Sequence, residues 1–162
     1  APDGGESLFA DGFALAEHLR QEDPSAFEVL TRTPVPFAYR SKNAALSAER
    51  PLIQLSCRGE VIAVHYNNRS IQPLPFAAEA AERYYRAYRR FAMLLREPRF
   101  MVRLRMRDGD RVLFDNQRIL HGRTGFASTR HPRHLQGCYL TRYSVFSRAA
   151  LLAEGGREGG GT

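Results

Sequence analysis

A chain of 162 residues that is 43% apolar and 10% aromatic carries enough hydrophobic material for one core, which excludes disorder along its whole length. The formal charge of +7 would suit a polyanion, yet Lys42 is the only lysine and the arginines are dispersed, with only Arg89-Arg90 adjacent; no nucleic-acid motif accompanies them, so specific nucleic-acid binding is not expected. No apolar run reaches the roughly 18 residues that a membrane-spanning helix needs. Cys57 and Cys138 show no metal or redox spacing, which points to a reducing, cytoplasmic setting without disulfides.

Ala1-Pro2-Asp3-Gly4-Gly5 reads as a turn, and a start without methionine leads us to expect part of a longer protein. A short apolar segment, Ser7 to Ala10, leads to Asp11, an N-cap for a helix marked by Phe13, Leu15, Ala16 and Leu19. Asp23-Pro24-Ser25 opens a second helix with Phe27 and Leu30 on its buried side. From Pro34 the period changes. Val35 to Tyr39 reads as extended, and Pro51 to Cys57 with Glu60 to Tyr66 reads as a hairpin around Arg58-Gly59, where glycine supplies a positive φ.

The longest helix is predicted from about Pro75 to Arg96, with Phe76, Ala80, Tyr84, Tyr88, Phe91 and Leu95 forming one stripe at steps of three or four. Three strands are predicted next: Phe100 to Met106, Arg111 to Phe114, and Ile119 to His121, with Asp108-Gly109-Asp110 as the first turn. A loop from Gly122 to Pro132 leads to a final strand, Arg133 to Leu140. A C-terminal helix, Tyr143 to Glu154, precedes a glycine-rich, flexible tail from Gly155 to Thr162. Short strands separated by turns argue for a mainly β domain with helical decoration, for which a double-sheet jelly roll is the natural candidate.

The five histidines form no close ligand pair of the His-x-His, His-x-Asp or His-x-x-x-His type. His18 reads as a surface residue of a helix, His65 as the end of a hairpin strand, and His131 and His134 as flanking Pro132. His121 differs because it ends an apolar strand just before a glycine; taken alone, such a histidine is more often a hydrogen-bonded structural residue. In the final strand, alternation groups Arg133, Leu135, Gly137 and Tyr139 on one face, and His134, Gln136, Cys138 and Leu140 on the other. An inward Arg133 would demand an anion, and its planar fork suits a carboxylate. Gly137 would leave room for a ligand, and Tyr139 an aromatic surface for a cation. Alternation alone leaves equally open that Leu140 faces the core and Arg133 the solvent.

The stretch Phe114-Asp115-Asn116 through Leu120-His121-Gly122-Arg123, with Arg133-His134-Leu135-Gln136-Gly137-Cys138-Tyr139 after it, resembles the C-terminal half of the γ-butyrobetaine dioxygenase and trimethyllysine dioxygenase family, within the taurine-dioxygenase-like oxygenases. Gly4-Gly5-Glu6-Ser7 followed by Asp11-Gly12-Phe13 is similar to the family's segment after its first metal motif, so the resemblance covers the chain apart from its tail. It implies a jelly-roll fold, Fe(II), 2-oxoglutarate as cosubstrate, O2, and hydroxylation of a small quaternary ammonium substrate, most naturally γ-butyrobetaine to carnitine. It also implies His121 as the distal iron ligand, Arg133 as the partner of the far carboxylate of 2-oxoglutarate, Ser7 near the cosubstrate, and Tyr139 and Asn67 as substrate contacts.

Such enzymes complete the iron site with a His-x-Asp pair, and none occurs in this chain. The resemblance places that pair upstream, so residues 1–154 are expected to be the C-terminal part of an oxygenase domain and residues 155–162 a tail, the chain alone being inactive. Other readings are the same machinery acting on another small acid, or a catalytically inactive, metal-free binding module. No membrane partner is expected, and a homodimer is left open.

Overall fold

The computed structural model describes residues 5–125 and 134–158, within two compact units, Ala1–Phe126 and Ala127–Thr162. The first unit opens with strand β1 (Ser7–Asp11) and helices α1 (Gly12–Glu22) and α2 (Pro24–Arg32). Two hairpins follow, β2 (Val35–Arg40) with β3 (Ala45–Arg50), and β4 (Ile53–Leu55) with β5 (Val61–Val64). Helix α3 (Ala78–Leu95) and strands β6 (Met101–Leu104) and β7 (Ile119–Arg123) complete it.

Local chemistry accounts for the early elements. The Asp11 carboxylate accepts the Phe13 and Ala14 N–H groups at 3.0 and 3.3 Å, and Asp23 accepts the Ala26 N–H at 3.0 Å, so each helix start has its orphan donors met. The Ala26 N–H holds the Asp23 carboxyl below the usual carboxylate range. In the β4–β5 turn Gly59 takes φ 80°, and the Ser56 hydroxyl accepts the Arg58 and Glu60 N–H groups, each at 3.2 Å.

The core is built chiefly by helices. Leu15 and Leu19 of α1, Leu30 of α2, and Tyr84, Phe91 and Leu94 of α3 are fully buried, and they meet Val35, Leu52 and Ile53 from the strands and their approaches. The stripe expected on α3 is the one that packs, with Phe76, Tyr88 and Leu95 partly buried at its margins. Tyr66 stacks on Tyr88 with centroids 5.2 Å apart, closing the core beneath the end of β5. Burial pushes the Tyr84 phenol above its ordinary pKa and favours its neutral form.

Among the described residues three small antiparallel sheets accompany this core, with strand order β6-β1-β7 in the largest and the two hairpins forming the others. The architecture is therefore mixed helix and sheet rather than mainly β. Short alternating runs show that a strand has one covered face but not whether a sheet or a helix covers it, and in this unit α1, α2 and α3 do most of the covering.

Three local expectations also change. Ser7–Asp11, which reads only as an apolar lead-in, is the central strand of the largest sheet. Strand β3 is exposed throughout and has no alternating pattern; it forms by pairing with β2. Arg111 to Phe114 is irregular backbone instead of a strand, and the Phe114 ring packs on its neighbours as described below.

In the second unit residues 134–140 are likewise irregular, which removes the predicted final strand over its described part. Leu135, Tyr139 and Leu140 are 64%, 87% and 68% exposed, so neither alternating face has a cover to stabilise an extended strand. Helix α4 (Arg142–Glu158) follows, with the Thr141 hydroxyl accepting the Ser144 N–H at 3.1 Å. It runs one turn past the expected end at Glu154. Extension of an existing helix adds a hydrogen bond per residue, which offsets the cost of about 1 kcal/mol for each glycine. Cys57 and Cys138 are exposed free thiols, and no described helix is long and apolar enough to cross a membrane.

Candidate active site

His121 lies in β7, and the segment before it is held at several points. The Asp115 carbonyl accepts the Arg118 and Ile119 N–H groups at 3.0 and 2.8 Å, while its carboxylate accepts the Gln117 N–H at 3.0 Å, closing the Asp115–Arg118 turn. The Gln117 carbonyl accepts the Val64 N–H of β5 at 2.9 Å, and the Arg118 carbonyl accepts the Gly12 N–H of α1 at 2.8 Å. The turn is thus tied to the core on both sides.

At Gly12 the chain passes close to the Asp115–Arg118 turn. A Cβ there would lie 2.7 Å from the Arg118 carbonyl oxygen and 3.2 Å from the Val64 Cβ, so neither backbone nor β-branched side chain can yield cheaply. Gly12→Ala is expected to destabilise the protein by about 1–3 kcal/mol, as overpacking does. A thermal midpoint equal to that of the parent would show that this approach tolerates a methyl group.

Strand register then sorts the side chains. β1 pairs with β7 so that Asp11 faces Ile119, Phe9 faces His121 and Ser7 faces Arg123; on its other edge, β1 sets Phe9 against Val102 and Ser7 against Leu104 of β6. Directly paired residues project to the same side. One face therefore carries Ser7, Phe9, Val102, Leu104, His121 and Arg123. The opposite face carries the buried Ala10, and Leu120 packed against the core. His121 points away from the helical core, onto the open side of the sheet.

That open side is apolar around the imidazole. The Phe114 ring lies 5.0 Å from His121 and 5.6 Å, edge-on, from Phe9, so it packs on the imidazole from one side. On the edge strand β6, Val102 is 64% exposed and Leu104 39%, which extends the apolar surface of this face. Phe9, Phe114 and Arg123 were not singled out from the sequence. Alternation from His121 would have found Arg123, whereas Phe9 and Phe114 needed the strand pairing.

Of the residues singled out from sequence, Ser7 and His121 are brought onto this one face. Asn67 is elsewhere, in the loop after β5, where its side-chain oxygen accepts the Arg69 N–H at 3.0 Å and closes an Asx turn. Beside it the Tyr88 hydroxyl donates to Asn68. Tyr139 belongs to the second unit and is exposed. Arg133 lies outside the described residues, as does His131, and His134 is exposed. His18 is only partly exposed, bonded to Glu22 at 2.9 Å and resting on Phe100 with ring centroids 5.2 Å apart, which fits a structural role. His65 Nε2 donates to the Gln54 side-chain oxygen at 3.0 Å, and burial, with the nearby Arg50, pushes its pKa down. It reads as a satisfied core-edge histidine.

An imidazole in the middle of an edge strand, on an open face and against an apolar ring, suits one position on a metal ion. Among the described residues, no group of three or more His, Cys, Asp or Glu side chains could hold one. His121 fits as a single ligand, and the described residues do not complete a metal site.

Comparison with known proteins gives this geometry a family. The chain is 41% identical over 149 residues to γ-butyrobetaine dioxygenase of Pseudomonas sp. (strain AK-1), which covers 92% of this chain and 39% of that protein. It is 30% identical over 156 residues to the human γ-butyrobetaine dioxygenase, covering 93% of this chain and 40% of the human protein. It is 32% identical over 157 residues to the mitochondrial trimethyllysine dioxygenase of Gallus gallus, covering 92% of this chain and 36% of that enzyme. The chain thus spans about two fifths of the length of these curated relatives. Residues 1–139 match the taurine catabolism dioxygenase TauD, TfdA family, and the chain belongs to it.

Proposed function

We propose that the full-length gene product is an Fe(II)- and 2-oxoglutarate-dependent dioxygenase that hydroxylates a small trimethylammonium substrate, γ-butyrobetaine to carnitine being the best candidate. The observation that carries this reading is the placement of Ser7 and His121 on one open, apolar sheet face in a chain of this family. Residues 1–154 are read as the C-terminal part of a jelly-roll oxygenase domain and residues 155–162 as a tail. A cytoplasmic setting goes with this reading.

His121 takes one position on the iron, and the remaining ligands come from residues beyond these 162. Bound iron supplies the oxidising chemistry with O2; the residues of this chain bind, orient and shield. Arg133 pairs with the far carboxylate of 2-oxoglutarate, for which its fork is suited. In this reading the Ser7 hydroxyl, on the same sheet face as His121, hydrogen-bonds the same cosubstrate. Tyr139 offers a ring face to a quaternary ammonium. Because the Asn67 oxygen is used in its own turn, its NH2 group is the part that can address a substrate oxygen.

Succinate release by the full-length protein, measured with γ-butyrobetaine, trimethyllysine, and sulfonates or other small acids, tests the assignment. Release driven by the trimethylammonium compounds supports it. Release driven only by another acid moves the substrate class, and no release with any acceptor in iron-loaded protein identifies a binding module.

Arg133→Ala in the same protein is expected to raise the 2-oxoglutarate concentration needed for half-maximal rate by roughly tenfold or more, the scale of a lost charge-assisted bidentate pair. Thermal stability should change little. An unaltered 2-oxoglutarate requirement would remove Arg133 from the cosubstrate site.

A further inference from the structure

Strands β1 and β7 are not joined by a turn that could set their register: Asp11 and Arg118 are 107 residues apart in sequence. In a hairpin the loop length would fix the pairing, but here something else must. A slip of one residue would put Leu120 on the open face and turn His121 toward the core beside Ala10. The alternating pattern of β7, Ile119-Leu120-His121-Gly122, resists this only through the single apolar side chain of Leu120, since Ile119 is apolar as well.

Asp11 and Arg118 sit at the point where register is decided. Arg118 Nε donates to both carboxylate oxygens of Asp11 at 3.1 Å, and Nη2 donates to Oδ2 at 2.5 Å. This two-pronged contact fixes direction as well as distance. The same Asp11 Oδ1 accepts the Phe13 and Ala14 N–H groups at the start of α1, so the strand end, the helix start and the turn before β7 converge on one carboxylate. Asp11 faces Ile119, and the next pair on that side of the sheet is Phe9 with His121. The ion pair is half open to water, with Arg118 51% and Asp11 32% exposed, so its contribution to overall stability is small. Its contribution is geometric.

Resting on the reading of His121 as a metal ligand, we propose that Asp11 and Arg118 are positioning residues for that histidine, locking the β1–β7 register so that the imidazole faces the metal. They touch neither metal nor substrate and act through the strand.

The test uses the full-length gene product with Mn(II) as the probe, its affinity read by the loss of the free-ion electron paramagnetic resonance signal, alongside thermal melting. Arg118→Gln leaves the N–H contacts of the Asp11 cap in place and is the primary variant. It is expected to weaken Mn(II) binding by roughly five- to tenfold, near the lower end of what outer-shell partners of metal ligands contribute. Its melting temperature should stay within about 2 °C of the parent, because an exposed pair adds little stability. Arg118→Lys should recover part of the affinity, retaining the charge but losing the fork. Asp11→Asn combined with Arg118→Gln should bind Mn(II) no more weakly than the weaker single variant, since the two residues act as one unit.

Arg118→Gln with unaltered Mn(II) affinity overturns the proposal, as does a double variant whose losses simply add. If the parent binds no Mn(II), or binding survives His121→Ala, the metal reading fails and takes this inference with it. Binding lost in His121→Ala but intact in Arg118→Gln sinks this inference alone.

Discussion

His121→Ala in the full-length gene product is expected to abolish 2-oxoglutarate-dependent succinate release while leaving the melting temperature near that of the parent. The two readouts separate because of where the residue sits. It is exposed on the side of β7 that faces away from the core, so its truncation forfeits the ring contact with Phe114 and little else. Surface substitutions of this kind usually stay within about 0.5 kcal/mol. A metal site built from three protein ligands has no such tolerance, and loss of one is expected to reduce turnover by a factor on the order of 100 or more. Turnover retained at the parent level would show that another residue completes the site. A fall in melting temperature of many degrees would show instead that the imidazole holds the sheet together.

Phe91→Ala should do the reverse. Phe91 is fully buried on α3, its ring 5.6 Å from that of Tyr66, in the cluster that joins all three helices of the first unit. Removing a buried phenyl ring costs about 3–5 kcal/mol, from lost transfer free energy and the cavity left behind. Against a total stability of about 5–15 kcal/mol, that is a large fraction. In a domain of this size each kcal/mol moves the midpoint by roughly 2–4 °C, so a fall on the order of 10 °C is expected in a thermal melt. A shift smaller than about 2 °C would mean that α3 is not the central support of the core.

These two variants mark the division between what function and what stability ask of the chain. The core belongs to α1, α2 and α3, and the candidate site to the far face of a sheet that those helices back. Gly12 and the Asp115–Arg118 turn link the two, since the backbone bonds from Gly12 and Val64 tie the site strand to the core.

Helix positions were largely legible because their signals are local. Asp11 and Asp23 cap where capping chemistry places them, and the α3 stripe follows from a 3.6-residue period that any isolated helix would show. The β4–β5 hairpin was equally legible, since a glycine with positive φ and a four-residue turn are properties of neighbouring residues. Strands without such punctuation were not. β1 exists because distant segments pair with it and β3 because the adjacent β2 does, and Arg111–Phe114 remains irregular although its composition suits a strand. Residues 134–140 show the same limit from the other side, with alternation present and no strand formed.

For the candidate site, the amino-acid sequence by itself determined that His121 follows apolar Ile119 and Leu120 and precedes a glycine, that no His-x-Asp accompanies it, and which family the surrounding motifs resemble. Those are statements about types and spacings of neighbouring residues. The expected strand end at His121 is not where β7 stops, since pairing with β1 carries it on to Arg123. Only the tertiary structure decided that His121 faces outward, that Ser7 shares its face, that Phe9 pairs with it in register while the Phe114 ring packs on it, and that Asp11 meets Arg118 across 107 residues. The physical reason is that strand side chains have a period of two, so a one-residue change of register reverses every face, and register between strands far apart in sequence is set by contacts that no local pattern encodes.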